Sequence, residues 1–185
     1  MARIQITARI SYPHLFTAHA FNNQGEPRFS AAFVFPKDSP TAKKVQAAMV
    51  ETAKEKWGGR AQQMLTDLTN KSRVCLSDGA SKDFPDCYYI NASNKNRPTV
   101  VDRDLTPLAA EDGKIYGGCW VNASIEIWAQ DNQFGKRINA TLRGVQFVKD
   151  DEAFGGAGPR VAQADEFEAI ADIGEDKGAD DAFAW

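Results

Sequence analysis

The chain has 185 residues, 43% of them hydrophobic and 25% charged, with a formal net charge of -3, which is typical of one globular domain. It contains no apolar run of about 18 residues, and its alternating N-terminus is unlike a signal peptide, so we expect neither a membrane span nor secretion. Its three widely spaced cysteines and two histidines argue against a disulfide framework and a zinc site, which favours a protein of the reducing cytoplasm without metal or cofactor.

The first part of the chain predicts two strands followed by helices. Residues 2–12 alternate apolar and polar side chains with a period of two, and residues 28–36 form a second apolar segment. Ser39, followed by a proline, predicts the N-cap of a helix that runs to about Trp57, where two glycines follow. A short second helix is expected over residues 60–68.

The second part of the chain predicts strands. Three short strands are expected at 74–76, 87–91 and 99–102, and two long ones at 115–130 and 136–149, which a turn joins into a hairpin. Strands do not alternate with helices, so a parallel α/β fold is not expected. The pattern is typical of a mostly β domain with a helix packed on it, and either a small barrel or a sandwich satisfies it.

Two tryptophans share the polar face of the first long strand. Its apolar positions, Val121 among them, belong to the core, whereas Trp120 and Trp128 lie among polar residues. Tryptophan rings stack on unpaired bases, and each stacked base contributes about 1–3 kcal/mol to the binding free energy. The alternative is that a helix or loop covers this face and makes the tryptophans part of a second small core.

Basic residues recur near aromatic ones along the predicted strands. In the last of these strands, Gly144 is expected to mark a bulge. Each cation taken alone is most simply a solvated surface residue, but their clustering favours a groove in which cations bind phosphates and aromatic rings stack on bases. The candidate DNA-binding residues are Arg3, Arg9, Tyr88, Tyr89, Lys95, Arg97, Arg103, Trp120, Trp128, Lys136, Arg137 and Arg143.

The modest net charge conceals a charge split near Lys149. Residues 1–149 hold 20 basic and 14 acidic side chains, a net of +6, whereas residues 150–185 hold 11 acidic and 2 basic ones, a net of -9. A basic body with an acidic tail indicates interaction with nucleic acid. The tail has few large apolar residues, so we expect it to be disordered, and it serves either solubility or a specific function.

Catalytic motifs are absent from the sequence. It contains no phosphate-binding GxxxxGK[ST] loop, no HExxH and no GxSxG. Asp83 with Asp86, or Asp102 with Asp104, would be magnesium ligands in a nuclease, but acidic residues beside proline and glycine are more often turn formers. We therefore expect a protein that is not an enzyme.

Three segments resemble a family of phage-encoded single-stranded DNA-binding proteins. They are YGGCWVN at 116–122, GVQFV at 144–148 followed by two glycines, and ARISYPHLF at 8–16. The resemblance implies an OB-fold body and an acidic C-terminal tail. It also implies a protein that coats single-stranded DNA in phage replication, recombination and repair, in the host cytoplasm. Such tails compete with DNA for the groove and recruit partner proteins.

The resemblance divides the chain into an OB-fold-like domain, residues 1–149, and a flexible acidic tail, residues 150–185. The expected partners are single-stranded DNA and, through the tail, replication or recombination proteins, with no membrane; a homodimer is compatible with the sequence. Related tails often end in phenylalanine, whereas this chain ends in tryptophan. The tail residues expected to bind partners are Asp180, Asp181, Phe183 and Trp185.

Three other classes of protein remain open from the sequence. A single-strand annealing recombination protein would also pair complementary strands. A phage structural β protein would show no salt-dependent DNA binding, and its basic residues would be scattered. A metal-dependent nuclease would cleave single strands in the presence of magnesium.

Overall fold

The computed structural model describes residues 1–20 and 24–154, so the predicted disorder of the tail from residue 155 onward lies outside the described residues. The described residues form seven strands and two α-helices, with a few short 3-10 turns. Their bounds are β1 Ala2–His19, β2 Arg28–Pro36, α1 Pro40–Trp57, α2 Ala61–Asn70, β3 Leu76–Asp78, β4 Cys87–Asn94, β5 Thr99–Val101, β6 Trp120–Asn132 and β7 Gly135–Lys149.

Five of the strands close into a barrel. The sheet has the order β3-β4-β2-β1-β6-β7-β5, and β4 also pairs with β7 in parallel, where Ser93 lies opposite Thr141. This pairing joins β1, β2, β4, β6 and β7 into a closed ring, with β3 and β5 as short additions. The predicted mostly β, OB-like barrel with a helical insertion is thereby confirmed, and a sandwich is ruled out.

The apolar faces predicted by the period of two fill the barrel. Ile6 and Ile10 of β1, Ile125 of β6 and Leu142 of β7 are all buried to 1% exposure or less. Phe33 of β2 is buried with them. The opposite faces of the same strands carry polar side chains, so the barrel has a polar outer surface that ligands can reach.

Helix α1 begins where its sequence predicts and packs on the barrel. The Ser39 hydroxyl accepts a hydrogen bond of 3.2 Å from the Ala42 N–H, which satisfies one of the free donors of the first turn. The apolar side of the helix, including Val45 and Met49, is buried against β1 and β6. Neither described helix is long and apolar enough to span a membrane.

Two of the register shifts between strands alter the predicted strand pattern. In the β6–β7 pair, Ser124 lies opposite Gly144, but Ile125 lies opposite Leu142. Arg143 is therefore an extra residue in β7, and the predicted bulge at Gly144 is confirmed. In β1 the pairing with β2 shifts between Ser11 and His14. The strand continues past this point to His19, beyond the predicted end at residue 12.

One predicted strand begins later than expected. Residues 115–119 do not belong to β6, because the chain makes a tight turn there: the Cys119 N–H donates to the Tyr116 carbonyl at 3.2 Å. Gly118 has a φ of +120°, a conformation that favours glycine. This turn brings the start of β6 beside the segment that follows β7.

Candidate nucleic-acid interface

An open groove of about 810 Å³ runs over the outside of the barrel where β1, β2, β4 and β7 meet. The end of β1 and the start of β2 lie at one side, with His19 and Arg28, and the β6–β7 hairpin lies at the other, with Gln130 and Arg137. OB-folds bind oligonucleotides on this kind of strand surface, between the first and the last hairpin loops. The groove is therefore the candidate nucleic-acid interface.

Trp128 supplies a large aromatic surface to the groove. Its indole N–H donates a hydrogen bond of 3.0 Å to the Thr141 hydroxyl across the β6–β7 pair, which fixes the orientation of the ring. The side chain is half-buried and lines the groove wall. A tryptophan ring that lines a groove and is held by its N–H edge can stack on an unpaired base.

Tyr12 supplies a second aromatic surface that the sequence did not reveal. Its side chain is 69% exposed and lines the groove, and its backbone has a φ of +47°, which is uncommon for a residue with a side chain. It lies within the bulge of β1, and bulges re-aim side chains. Strained backbone conformations persist only where the surrounding structure holds them, and they cluster at functional sites.

His14 and His19 form a stacked pair in the groove, with ring centroids 4.4 Å apart and an interplanar angle of 10°. Burial, followed by the charge of His19, lowers the pKa of His14 from its ordinary value of 6.5. At neutral pH the His14 imidazole is therefore mostly uncharged. The pair adds a flat surface to the groove, and His14 gains positive charge only in acid.

Three cations line the groove from three different segments. The Arg28 guanidinium donates to the Ser93 hydroxyl at 3.2 Å, which ties it to β4. Arg137 opens β7 and is exposed. The Lys82 ammonium, in the turn before β4, lies 6.0 Å from the ring centre of Tyr12 and 5.8 Å from that of Tyr89. Phosphates require positive charge of this kind, interspersed among aromatic rings.

Among the predicted site residues, Trp128 and Arg137 line the groove, and Tyr89 adjoins it through Lys82. Lys136 lies beside Arg137, opposite Asp131 of the hairpin. Lys95 and Arg97 lie toward the β1–β2 loop: Lys95 pairs with Glu26 at 3.0 Å, and Arg97 lies 5.4 Å above the ring centre of Phe16.

Other predicted residues lie elsewhere on the barrel. Arg3 and Arg143 surround Glu126 on the polar face of β1, β6 and β7, where the Arg143 guanidinium pairs with the Glu126 carboxylate at 3.0 Å. Arg103 lies near the same face, where its carbonyl accepts from Gln146 at 3.4 Å. Tyr88 is half-buried against the core, with the Lys37 ammonium 5.3 Å from its ring centre. Their role in DNA binding stays a prediction.

Arg9 and Trp120 contact the beginning of the acidic segment instead. The Trp120 indole N–H donates to the Asp151 carboxylate at 2.8 Å, and the Arg9 guanidinium lies 3.6 Å from the same carboxylate. The hydrogen bond from the Glu152 N–H lowers the pKa of Asp151 most, and the one from Trp120 lowers it next. Residues 150–154, the strap, therefore contact the polar edges of both predicted residues.

The acidic pairs considered as magnesium ligands form turns. Asp102 accepts from the Arg103 N–H at 2.7 Å and from Lys114, and Asp104 accepts from the Thr106 N–H at 3.1 Å. The hydrogen bond from Lys114, followed by that from the Arg103 N–H, lowers the pKa of Asp102, and the Thr106 side chain, followed by the Thr106 N–H, lowers the pKa of Asp104. Across residues 1–20 and 24–154, no group of three or more His, Cys, Asp or Glu side chains is placed to hold a metal ion.

A closed five-stranded barrel with a basic, aromatic groove on its strand surface is typical of the class of OB-type nucleic-acid-binding proteins. A family model described as the single-stranded DNA-binding protein of Enterobacter phage Enc34 matches residues 2–182. The chain belongs to this family of phage single-stranded DNA-binding proteins.

Individual relatives agree with the family assignment. Putative protein p50 of Acyrthosiphon pisum secondary endosymbiont phage 1 is 40% identical over 169 residues, covering 88% of this chain and 90% of the relative. The solved complex of the bacteriophage Enc34 single-stranded DNA-binding protein with single-stranded DNA is 33% identical, with a TM-score of 0.63, covering 83% of this chain and 89% of that one. Gp2.5 of bacteriophage T7, a single-stranded DNA-binding protein, shares the fold at 12% identity and a TM-score of 0.59, over 88% of this chain and 98% of its own.

Proposed function

We propose that the protein coats single-stranded DNA that is exposed during phage DNA replication, recombination and repair, in the host cytoplasm and without catalysis. The observation that carries the proposal is the groove between the adjoining ends of β1 and β2 and the β6–β7 hairpin. The strand lies along it, with bases stacked on Trp128 and Tyr12 and phosphates bound by Arg28, Lys82 and Arg137. A relative in the same family is known in complex with single-stranded DNA.

The chemistry of the groove favours single strands over duplexes. Aromatic faces stack on bases only when those bases are unpaired and splayed out. The groove has cations at its sides and rings along its surface, so it binds backbone and bases without reading a particular sequence. A protein that coats whatever strand is exposed needs this tolerance.

The proposal includes a competing role for the acidic tail. Residues 155–185 hold 8 acidic and 2 basic side chains, a net of -6, and are tethered to a groove that contains three cations. A tethered segment acts at high effective concentration, so it shields the groove when DNA is absent. Bound DNA releases it, and Asp180, Asp181, Phe183 and Trp185 then recruit replication or recombination proteins.

The test is a titration of the protein with an unlabelled oligo-dT at low and high salt, followed by tryptophan fluorescence. The full chain should show quenching that weakens with salt, and a truncation after residue 154 should bind more tightly at low salt. Trp128→Phe should remove most of the quenching. Trp120→Phe is the matched control, since Trp120 shares the strand face but lies outside the groove, and at saturating oligo-dT it should keep the quenching.

Two outcomes would contradict the proposal in different ways. Absence of binding, both by fluorescence and by a gel shift, would reject DNA binding and favour a phage structural β protein. Equal affinities of the full chain and the truncation at low salt would reject only the competition by the tail. An annealing assay with complementary oligonucleotides separates coating from strand-annealing activity.

A further inference from the structure

We propose that the strap, residues 150–154, is a working part of the DNA-binding site and not of the competing tail. Through Phe154 it holds the turn that carries Lys82, and so positions the Lys82 ammonium over the groove. The inference rests on the proposed function, because it assigns a positioning role to Phe154 in binding single-stranded DNA. The acidic region then has two parts: a fixed strap and the segment that follows it.

The strap is fixed to the barrel at several points. The Tyr116 hydroxyl donates to the Asp151 carbonyl at 2.8 Å, and the Asp151 side chain accepts from the Trp120 indole at 2.8 Å. At the end of the strap, the Phe154 N–H donates to the Gly117 carbonyl at 3.0 Å. These hydrogen bonds hold a segment that composition alone assigns to a disordered tail.

Gly118 shows how closely the strap is seated. A Cβ atom at this position would lie 2.4 Å from the Glu152 carbonyl oxygen and 2.9 Å from the Ala153 Cα. Both of these are backbone atoms, which have no flexible end that could yield. The YGGCWVN segment therefore has a glycine where the strap crosses it, and its neighbour Arg9 donates to the Gly118 carbonyl at 2.8 Å.

Phe154 joins the strap to the turn before β4. Its ring meets that of Phe84 edge-on, with centroids 4.8 Å apart and an interplanar angle of 61°, and the Arg9 guanidinium lies 4.2 Å from its ring centre. Edge-to-face aromatic pairs and cation–π contacts are both stabilising at these separations. The Phe154 ring is thus held between an aromatic ring and a cation.

The turn before β4 is compact, so a contact at Phe84 affects Lys82. The Phe84 N–H donates to the Gly79 carbonyl at 2.9 Å, and the Cys87 N–H donates to the Phe84 carbonyl at 3.1 Å. A Cβ atom at Gly79 would lie 2.6 Å from the Phe84 carbonyl oxygen, so the turn is closely packed. Lys82 lies on this closed turn, two residues before Phe84, and faces the rings of Tyr12 and Tyr89.

The experiment is a double-mutant cycle in the full chain, with affinity for oligo-dT measured from low to high salt. Lys82→Gln should weaken binding a few-fold and reduce the slope of log K against log salt by about 0.7, the value for one phosphate contact on a single strand. Phe154→Ala should have the same two effects. In the Phe154→Ala background, Lys82→Gln should cost nothing further, since coupled residues are not additive.

Two further measurements separate positioning from general destabilisation. Phe154→Tyr keeps the ring and should restore both affinity and salt slope. Hydrogen exchange of the free protein should rise at the Phe84 and Cys87 amides in Phe154→Ala. A variant that only lowered stability would reduce the thermal midpoint without removing one phosphate contact from the salt slope.

The inference fails if Lys82→Gln costs the same affinity with and without Phe154, or if Phe154→Ala leaves the salt slope unchanged. Loss of the proposed function is a distinct result, because then the wild-type protein itself would not bind oligo-dT. If the wild type binds and the two residues act independently, DNA binding stands and the role of the strap is rejected.

Discussion

Trp120 and Trp128 share one face of β6 but belong to different surfaces. Trp128 lines the groove and donates its indole N–H to Thr141, whereas Trp120 donates its indole N–H to Asp151 of the strap. Eight residues of a strand separate them, a distance of about 27 Å at the usual rise. One strand thus contributes to both the proposed DNA site and the segment that adjoins it.

Replacing Tyr12 tests separately the strain of its backbone and the contribution of its ring to DNA binding. Tyr12→Gly should lower affinity for single-stranded DNA by about 1–3 kcal/mol, because a stacking ring is lost. The thermal midpoint of the free protein should not fall, because glycine adopts the φ of +47° without strain. Affinity by fluorescence anisotropy and thermal melting by circular dichroism check the two halves.

The chain offers a matched control for this variant. Leu105 has a φ of +70° and is 68% exposed, close to the 69% of Tyr12, and it lies in the loop after β5. Leu105→Gly should leave DNA affinity unchanged. Equal losses of affinity in both variants would mean that the effect comes from general flexibility and not from stacking.

Arg137 and Arg143 test the location of the phosphate contacts, since both lie on β7. Arg137 lines the groove, whereas Arg143 pairs with Glu126 on the outer polar face. Arg137→Gln should reduce the salt slope by about 0.7, the loss of one phosphate contact. Arg143→Gln should leave the slope unchanged. The reverse result would move the DNA path to the outer face of β1, β6 and β7.

The regular elements could be predicted from the sequence because their signals are local. The period of two in residues 2–12 and in the two long strands, the Ser39 cap and the bulge at Gly144 all depend on neighbouring residues. The extension of β1 to His19 was missed because the bulge at Tyr12 breaks the alternation. The barrel closure between β4 and β7 has no signal of its own in the sequence.

The groove could be predicted only in part, because segments far apart in the sequence build it. Trp128 was found since an aromatic residue on a polar strand face is visible locally. Arg28 and Lys82 were missed, because nothing in their neighbourhood shows that β1, β2 and β4 bring them together. Conversely, the clustering of Lys95 and Arg97 in the sequence did not reveal their contacts with Glu26 and Phe16.

The histidine pair predicts opposite effects of acid on stability and on binding. Because the pKa of His14 is lowered in the folded protein, the unfolded chain binds its proton more readily. The free energy of unfolding is therefore unaffected by protonation of His14 well above pH 6.5 and decreases as the pH falls below 6.5. Thermal melts of the free protein at constant ionic strength should show the decrease, and His14→Gln should reduce it.

DNA affinity should change in the other direction. A bound phosphate favours the charged form of the His14 imidazole. Lowering the pH through the histidine range should therefore tighten binding of the wild type, and less so in His14→Gln. An identical pH dependence in wild type and variant would show that the pair does not contact the strand.

Gly118 and Gly117 form the closest matched pair for testing the strap. Gly118→Ala places a Cβ against the Glu152 carbonyl oxygen at 2.4 Å, at a φ of +120°, so the strap must move. We expect a loss of about 1–3 kcal/mol in the free energy of unfolding. Gly117→Ala meets no atom within 4 Å and should change stability by about 0.5 kcal/mol or less.

Urea unfolding of the two full-length variants measures these free energies, and the fluorescence of Trp120 gives a local readout. Displacing Asp151 frees the Trp120 indole N–H, so the emission of Gly118→Ala should shift relative to wild type while that of Gly117→Ala should not. Because the strap also holds Phe84, the Gly118 variant should lose DNA affinity along with stability. If Gly118→Ala were as stable as Gly117→Ala and bound DNA equally well, the strap would not be seated as the structure has it.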